Sequence, residues 1–453
     1  MTLVRLLERV FGKYLPSPMV LAVLLTLGTI VLAVLFGDFE ESTSPLLQTL
    51  LLWEQGIWNE GLLVFAYQMM LLLLLGHVLV LSPPMERFIS NWTLLVKDAS
   101  SAAVLVALPT LLLSFFNWGV GLIFGALLAR KVGEHARDRN IPINYPLVGA
   151  CGYVGLMIWH GGISGSAPLK VAEQGHLKAL VSKNLSTVST EVLPSAIPTV
   201  ETIFSLPNLL VFFLVTIAVT LMAFFLGKRG TVQVPQIPVV ETELQETPNT
   251  GRKASYLAFI FGGLLLITFC AQYLPKLVEL SVTPNMLNFL MLGLAILLHG
   301  NFKRFLNAVA QAIGDVSGIL IQFPLYFGIM GIMTGCGLID RLSLILTTIA
   351  SETTLPVFTF FSAALVNLFV PSGGGQWAVQ GPLVIESSLS MGVPLPKTII
   401  ALAYGDQWTN MLQPFWALPL LAITRLKAGQ LLPYTLVFMI IGGLIFLGGL
   451  FLF

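Results

Sequence analysis

The sequence predicts an all-α polytopic membrane protein that contains two inverted-topology repeats, re-entrant hairpins and broken helices. Of its 453 residues, 56% are hydrophobic and only 10% are charged, whereas a soluble domain carries about 25% charged residues. The apolar residues form long blocks, and about 20 such residues cross a bilayer as a helix. Four other stretches place glycine, proline and polar residues between apolar arms, which a simple membrane helix would not do.

The apolar blocks define the expected path of the chain. Crossings are predicted at 17–37, 57–81, 143–169, 208–227, 254–274, 285–299, 317–339, 397–424 and 431–453. The segments 101–132 and 355–391 each consist of two apolar arms joined at a polar or glycine-rich tip, and we interpret them as re-entrant hairpins. Because WHGGISGSAP and GDQWTNMLQP interrupt the crossings 143–169 and 397–424, these two are predicted to be broken helices.

The distribution of basic residues predicts the orientation. With the N-terminus in the cytoplasm, most of the 23 Lys and Arg residues fall on the inside, as the positive-inside rule requires. The chain is then multi-pass, with its C-terminus outside. The N-terminal stretch 3–13 has apolar and basic residues on opposite faces, which predicts a helix lying on the membrane surface.

A weak internal repeat relates the two halves of the chain. Asn117 matches Asn367 and Trp159 matches Trp408, at an offset of about 250 residues. Because one additional helix separates the halves, the second half begins on the opposite face, as in many secondary transporters. A chance alignment of apolar sequence is the alternative. The predicted units are a first repeat (1–227), a cytoplasmic linker (228–253), a connecting transmembrane helix (254–274) and a second repeat (275–453).

The interruptions at membrane depth mark the candidate site. Within hydrocarbon, non-helical backbone is tolerated only inside protein or beside a water-filled cavity. A glycine triplet, as in PSGGGQW at 371–377, lets a ligand approach backbone N–H groups closely, and a helix N-terminus can hold an anion without an arginine. Unwound carbonyls and Ser, Thr, Asn and Gln side chains can hold a cation. An aqueous loop is the alternative, which the apolar flanks oppose.

We therefore predict a substrate- or ion-binding site at the two hairpin tips and the two helix breaks. Its candidate residues are Asn117, Trp118, Gly119, Trp159, His160, Ser164, Ser166, Asn367, Ser372, Gly373, Gly374, Gly375, Gln376, Trp377, Asp406, Gln407, Thr409, Asn410 and Gln413. Asp406 is the sharpest of them, because an intramembrane carboxylate points to an ion or substrate path. A structural acid is the alternative.

Three of these candidates have open roles. His160 either carries a proton or donates a hydrogen bond in the unwound segment. Asn117 and Asn367 either orient the hairpin tips or cap helices. A sodium ion near Asn117, Asn367 and Asp406 is a further interpretation, since all three side chains carry oxygen ligands.

Several function classes find no support in the sequence. It contains no P-loop, no metal-ligand cluster, no HExxH and no Ser/His/Asp arrangement, so we predict neither an enzyme nor a cofactor. The net charge of +1 predicts no nucleic-acid partner. No Lys or Arg lies in the middle of a span, so a small monocarboxylate fits better than a substrate with several negative charges.

The motifs FVPSGGGQWAVQGP, YGDQWTNMLQPFWALPL, WHGGISGSAPL and NWGVGLIFGALLAR resemble those of the bacterial short-chain fatty acid transporter family. The resemblance runs from the N-terminal helix to residue 425 or beyond. It implies an elevator-type secondary carrier of the bacterial inner membrane that takes up butyrate, acetoacetate or similar acids by symport with H⁺ or Na⁺. It also implies a homodimer. A cation/proton antiporter of the same architecture and an intramembrane enzyme are the alternatives.

Overall fold

The computed structural model describes residues 16–39, 43–184, 193–237, 252–278, 283–341 and 350–452. Within these ranges the regular structure is helical, apart from one isolated pair of extended residues, Ile143 and Gln233. The predicted all-α fold class is therefore confirmed. The surface helix expected at 3–13 lies outside the described residues.

The helices are numbered here in chain order. They are α1 (Pro18–Phe36), α2 (Pro45–Ile57), α3 (Glu60–Val80), α4 (Pro83–Thr93), α5 (Ala99–Phe116), α6 (Trp118–Asp138), α7 (Tyr145–Cys151), α8 (Ser166–Ala172), α9 (His176–Asn184), α10 (Leu206–Arg229), α11 (Arg252–Val278), α12 (Pro284–His299), α13 (Phe302–Ala312), α14 (Ser317–Gly335), α15 (Leu355–Asn367), α16 (Gly373–Met391), α17 (Leu395–Thr409), α18 (Pro414–Thr424) and α19 (Ala428–Leu452).

Seven helices in the described part of the chain are long and apolar enough to cross a membrane, by length and composition: α1, α3, α5, α10, α14, α19 and residues Tyr256–Pro275 of α11. Helix α12 is shorter, and two predicted crossings are split into α7–α8 and α17–α18, the first and second broken helices. The first hairpin is α5–α6 and the second is α15–α16. Because α5 is itself long enough to cross, the re-entrant path stays a prediction.

Local sequence explains where several helices begin. Ser17, Ser44 and Thr283 each precede a proline, and each side chain accepts a hydrogen bond from a backbone N–H in the first turn of α1, α2 or α12. Ser and Thr are favoured N-caps, and proline fits the first helical position because its missing N–H is not needed there.

Helices α2 and α13 are absent from the sequence-based prediction. Helix α2 lies in a segment that we expected to be a loop, and it packs along α14 through glycines. A Cβ atom on Gly56 would lie 2.5 Å from the carbonyl oxygen of Phe327 and 2.9 Å from Cα of Gly331. The backbones of the two helices therefore touch, which is typical of small-residue packing between membrane helices.

The helix breaks differ in position from the predicted ones. The glycine triplet forms the first turn of α16, and the irregular tip is the stretch 368–372 before it. At the first tip only Asn117 is non-helical. The first broken helix opens earlier than expected, over 152–165, while α17 continues to Thr409, so Asp406 is helical. Capping residues determine where these helices begin and end, and composition alone does not show which residues act as caps.

Two connections between predicted crossings contain hydrogen-bonded or helical structure. The extended pair of Gln233 and Ile143 exchanges two hydrogen bonds of 3.0 and 3.1 Å, and Arg137 Nη1 donates to the carbonyl of Ile237 at 3.0 Å. The start of the predicted cytoplasmic linker 228–253 is thus hydrogen-bonded to the end of the first hairpin and to Ile143. Residues 238–251 lie outside the described residues. The connection between the predicted crossings 143–169 and 208–227 contains α9, whose apolar residues pack on α16.

The hairpins and broken helices form one packed group with α10 and α19. In this group α15 packs on α17, α5 on α10, and α6 on α18. The other helices surround it: α2 and α1 pack on α14, and α11, α13 and α3 pack around α12. The elements recur in the same order in both halves, but inverted topology and an elevator movement stay predictions.

The glycine contact between α2 and α14 predicts a large effect of a single side chain. Gly56→Leu should lower the free energy of unfolding by about 1–3 kcal/mol, because the added atoms overpack the helix pair. The measurement is the loss of the monodisperse chromatographic peak on heating the detergent-solubilised protein. Gly28→Leu in α1 is the matched control, since nothing lies within 4 Å of a Cβ atom at Gly28. Equal melting of the two variants would contradict the contact.

Candidate functional site

A buried hydrogen bond joins the two broken helices. Nδ1 of His160, in the break between α7 and α8, hydrogen-bonds Oδ2 of Asp406 in α17. The side chains of His160 and Asp406 are 0% and 1% exposed. Two predicted site residues from different halves of the chain therefore meet at one point, and the carboxylate lies where water does not reach it.

Gln407 fixes the unwound backbone beside this pair. Its Oε1 accepts the N–H groups of His160 at 2.9 Å and Gly161 at 3.1 Å. Asn208 holds the opposite side: its Nδ2 donates to the carbonyl of Gly161 at 2.8 Å, and its Oδ1 accepts the Tyr404 hydroxyl at 2.8 Å. Asn208 and Tyr404 were not among the predicted residues. A buried asparagine in the first turn of an apolar helix is the signal that would have identified the first of them.

Asn367 connects the second hairpin to the second broken helix by hydrogen bonds. Its Nδ2 lies 2.7 Å from the carbonyl oxygen of Asp406, 3.0 Å from Thr409 Oγ1 and 2.9 Å from Asn410 Oδ1. Gln413 Nε2 donates back to the carbonyl of Asn367. Of the two roles open to Asn367, the structure supports orientation of the tip.

Asn117 has the other role, that of a helix cap. Its Oδ1 accepts the N–H groups of Gly119 and Val120, both at 3.0 Å, and its carbonyl accepts that of Gly121. The N–H of Trp118 donates to Ser164 Oγ at 3.0 Å. All four N–H groups that begin α6 therefore have partners, so the first tip offers no free donor to a ligand.

The second hairpin tip differs from the first because two of its backbone N–H groups are unpaired among the described residues. At the start of α16, the N–H of Gly375 donates to Ser372 Oγ and that of Gln376 donates to the Ser372 carbonyl. For the N–H groups of Gly373 and Gly374, no acceptor is found in the described part of the chain. Unpaired N–H groups at a helix N-terminus attract anions.

This tip lies directly on the His160–Asp406 pair. A Cβ atom on Gly373 would lie 2.7 Å from Cη2 of Trp159 and 2.8 Å from Cε1 of His160. At Gly374 there is room, since the nearest atom, Ser166 Oγ, would be 3.8 Å away. Glycine is therefore required at 373 because of close approach, and the helix start and the buried pair are neighbours.

Several buried polar atoms without a hydrogen-bond partner in the described structure belong to residues of this junction. They include Asp406 Oδ1, Gln376 Oε1, Gln413 Oε1 and Trp159 Nε1. Three of the four are acceptors, and one belongs to a carboxylate. Leaving such atoms unpaired is costly, so the arrangement suits the binding of a cation.

The remaining predicted residues support the tips or lie elsewhere. Trp159 stacks on His160 at a ring distance of 4.6 Å, and Trp118 lies 6.1 Å from Trp159. Gln376 Nε2 donates to the Ala363 carbonyl at 2.9 Å and so ties the hairpin arms together. Trp377 instead donates to His176 of α9 at 3.0 Å, so the structure does not bring it to the buried pair.

An apolar cavity of about 280 Å³ lies between the first hairpin and helices α3, α4 and α12. It reaches Gly119 and Val120 near the first tip, and its walls include Leu72, Ile123 and Met291. Its lining has almost no polar surface, so it cannot hold a carboxylate.

The family of the chain follows from comparison with known proteins. A family model described as "Short chain fatty acid transporter" matches residues 1–453. The chain belongs to this family. A relative from Escherichia coli (strain K12) is 34% identical over 99% of both chains. One from Haemophilus influenzae is 32% identical over 99% of this chain and 98% of its own. Both relatives are provisionally named short-chain fatty acid transporters.

Two solved structures align with most of the chain. The Alcanivorax borkumensis YdaH transporter aligns with a TM-score of 0.44 and 15% identity, covering 95% of this chain and 98% of that one. Neisseria gonorrhoeae MtrF, whose structure illuminates a class of antimetabolite efflux pumps, aligns with a TM-score of 0.40 and 14% identity, covering 98% of this chain and 96% of that one.

Membership of the short-chain fatty acid transporter family confirms the resemblance stated from the motifs. It also confirms that the protein is a membrane transporter and not an enzyme. The roles of the individual site residues stay predictions, since the comparisons do not test them.

The contrast between the two asparagines predicts different costs of mutation. Asn367→Ala leaves buried acceptors of Asp406, Thr409 and Asn410 without their donor, which should cost about 1–3 kcal/mol of stability. Asn117→Ser keeps an N-cap acceptor and should stay close to the wild type. Thermal unfolding of the purified variants measures both. A larger loss in Asn117→Ser would overturn the assigned roles.

Proposed function

We propose that the protein is a secondary active transporter that takes up short-chain monocarboxylates, such as butyrate or acetoacetate, by symport with H⁺ or Na⁺. One observation carries this proposal: the helix start with the two unpaired N–H groups of Gly373 and Gly374 contacts His160, the hydrogen-bond partner of the buried Asp406 carboxylate. The two N–H groups can bind an anion, and the carboxylate can bind a cation.

The chemistry of the second tip suits a carboxylate with one charge. Two neighbouring N–H groups can each donate to one carboxylate oxygen, and the helix dipole adds attraction for the negative charge. Ser166 Oγ lies close to Gly374 and supplies a further hydroxyl. Neither the second tip (368–376) nor the two helix breaks contain Lys or Arg, which a multiply charged anion would require.

The Asp406 charge explains why transport would need a cation. Two negative charges about 6 Å apart repel by roughly 3 kcal/mol at an effective dielectric constant of about 20. A substrate carboxylate at that distance from Asp406 would bind about a hundredfold more weakly while Asp406 is charged. A cation at Asp406 removes this repulsion, so cation and substrate bind together.

The hydrogen bonds within the site also support a common movement. Those of Ser164 with Trp118 and of Asn367 with the second broken helix tie each hairpin to its broken helix. We propose that this group moves as one unit against the surrounding helices in a homodimer of the bacterial inner membrane, with a cytoplasmic N-terminus.

Uptake into proteoliposomes tests the proposed function. Labelled acetoacetate and butyrate are supplied under an inward H⁺ gradient, an inward Na⁺ gradient or neither, with empty liposomes to measure leakage of the neutral acids. Protein-dependent accumulation under one gradient is the expected result. Folded protein that accumulates neither acid under any gradient would reject the proposal, and cation/proton exchange would be measured next.

The close approach at the second tip gives a sharper test of the site. Gly373→Ala should lower the affinity for the acid at least about tenfold, because its Cβ atom displaces the tip from Trp159 and His160. Gly263→Ala in α11 is the matched control, since nothing lies within 4 Å of a Cβ atom at Gly263. The apparent KM for acetoacetate distinguishes the two. Equal KM values would show that the carboxylate binds elsewhere.

A further inference from the structure

His160 is held in one protonation state by the groups that face its two ring nitrogens. Nε2 accepts the backbone N–H of Ala167 at 3.1 Å. A ring nitrogen that accepts an N–H carries no proton of its own, so the single proton of the neutral imidazole lies on Nδ1. Nδ1–H then donates to Oδ2 of Asp406. The negative charge of the pair therefore lies on Asp406.

The other protonation states conflict with these contacts. An imidazolium would place a proton on Nε2, facing the N–H of Ala167, so two donors would oppose each other. A protonated Oδ2 that donated to Nδ1 would again require the ring proton on Nε2. Both alternatives break the contact with Ala167, which satisfies an N–H in the first turn of α8.

We propose that His160 is a positioning residue that stays neutral through the transport cycle, and that Oδ1 of Asp406 takes up the coupling cation. Oδ2 is occupied by the imidazole, whereas Oδ1 is buried and has no hydrogen-bond partner. This inference rests on the proposed function and assigns the binding of the coupling cation to one atom, Oδ1 of Asp406. It replaces the interpretation of His160 as the proton carrier.

The charged groups of the neighbouring elements lie away from the pair. In α17, Lys397 is nine residues from Asp406, which is about 13.5 Å along a helix. Lys170 of α8 is 49% exposed and pairs with Glu173, and Glu386 is 13 residues, or about 20 Å, beyond Gly373 in α16. Helix α15 has no charged residue.

The nearby tyrosines are also occupied. Tyr404 donates to Asn208, and Tyr153 donates to the carbonyls of Asn410 and Gln413. The charge at the site therefore changes at Asp406, and it changes by one unit when one H⁺ or Na⁺ binds. The substrate carboxylate follows the cation, because the repulsion from Asp406 is then removed.

The tautomer of His160 can be observed without transport. The chain has five histidines, so the ¹⁵N spectrum of histidine-labelled protein, minus that of His160→Asn, isolates the His160 signals. The expected result is a protonated Nδ1 and an unprotonated Nε2 from pH 6 to pH 8, with and without acetoacetate. A doubly protonated ring in either condition would overturn the inference, whatever the outcome of the uptake assay.

The ion dependence of uptake distinguishes the role of His160 from that of Asp406. Asn at position 160 can still donate an amide N–H to Oδ2 but cannot titrate. His160→Asn should slow uptake about tenfold yet retain accumulation against the gradient with the same ion dependence. Asp406→Asn should exchange acid across the membrane without accumulating it. Loss of accumulation in His160→Asn, with exchange retained, would identify His160 as the carrier and overturn the inference.

The same assay distinguishes the two cations. Accumulation driven by H⁺ alone, with about one proton taken up per acetoacetate bound to detergent-solubilised protein, assigns H⁺ to Oδ1. Accumulation driven by Na⁺ alone assigns Na⁺. If Asp406→Asn accumulates acid as the wild type does, neither cation binds there and the inference fails. Uptake of no acid by the wild type would instead reject the proposed function, while the ¹⁵N result would still decide the tautomer.

Discussion

The site depends on the hydrogen bond between His160 and Asp406. It lies where the two broken helices and the second hairpin meet, and both side chains are buried. A carboxylate in such a place is costly unless it is paired and hydrogen-bonded. The imidazole satisfies one oxygen and, with Gln407, fixes the unwound backbone. The other oxygen is left for a cation, so the structural contact and the proposed coupling share one side chain.

The second constraint is the number of backbone N–H groups at each hairpin tip that remain without a hydrogen-bond acceptor in the described part of the chain. Asn117 and Ser164 use every donor at the start of α6. Ser372 uses only two of the four at the start of α16. Similar sequence order in the two halves therefore produces one closed tip and one that can receive an anion. The proposed substrate site is asymmetric for this physical reason, and it lies beside the only carboxylate of the junction among the described residues.

Much of the architecture could be predicted from the sequence because long apolar blocks determine where membrane helices form. The candidate residues could be selected because glycine and polar residues between apolar arms must be enclosed by protein. The exact positions of the helix breaks could not be predicted, since they depend on which side chain caps which N–H, as Asn117 and Ser372 show. Helix α2 was missed because its one glycine, Gly56, matters only once α14 is beside it. Asn208 was missed because its partners, Gly161 and Tyr404, are distant in sequence.

The most direct measurement of the central claim is the position of a bound substrate. Crystals of the protein grown with 4-bromobutyrate would locate the bromine by its anomalous scattering. The account predicts bromine within one butyrate length of Gly373 and Gly374, with the carboxylate on their N–H groups. Bromine at the first tip near Asn117, or in the apolar cavity beside Ile123, with no density at the second tip, would contradict it.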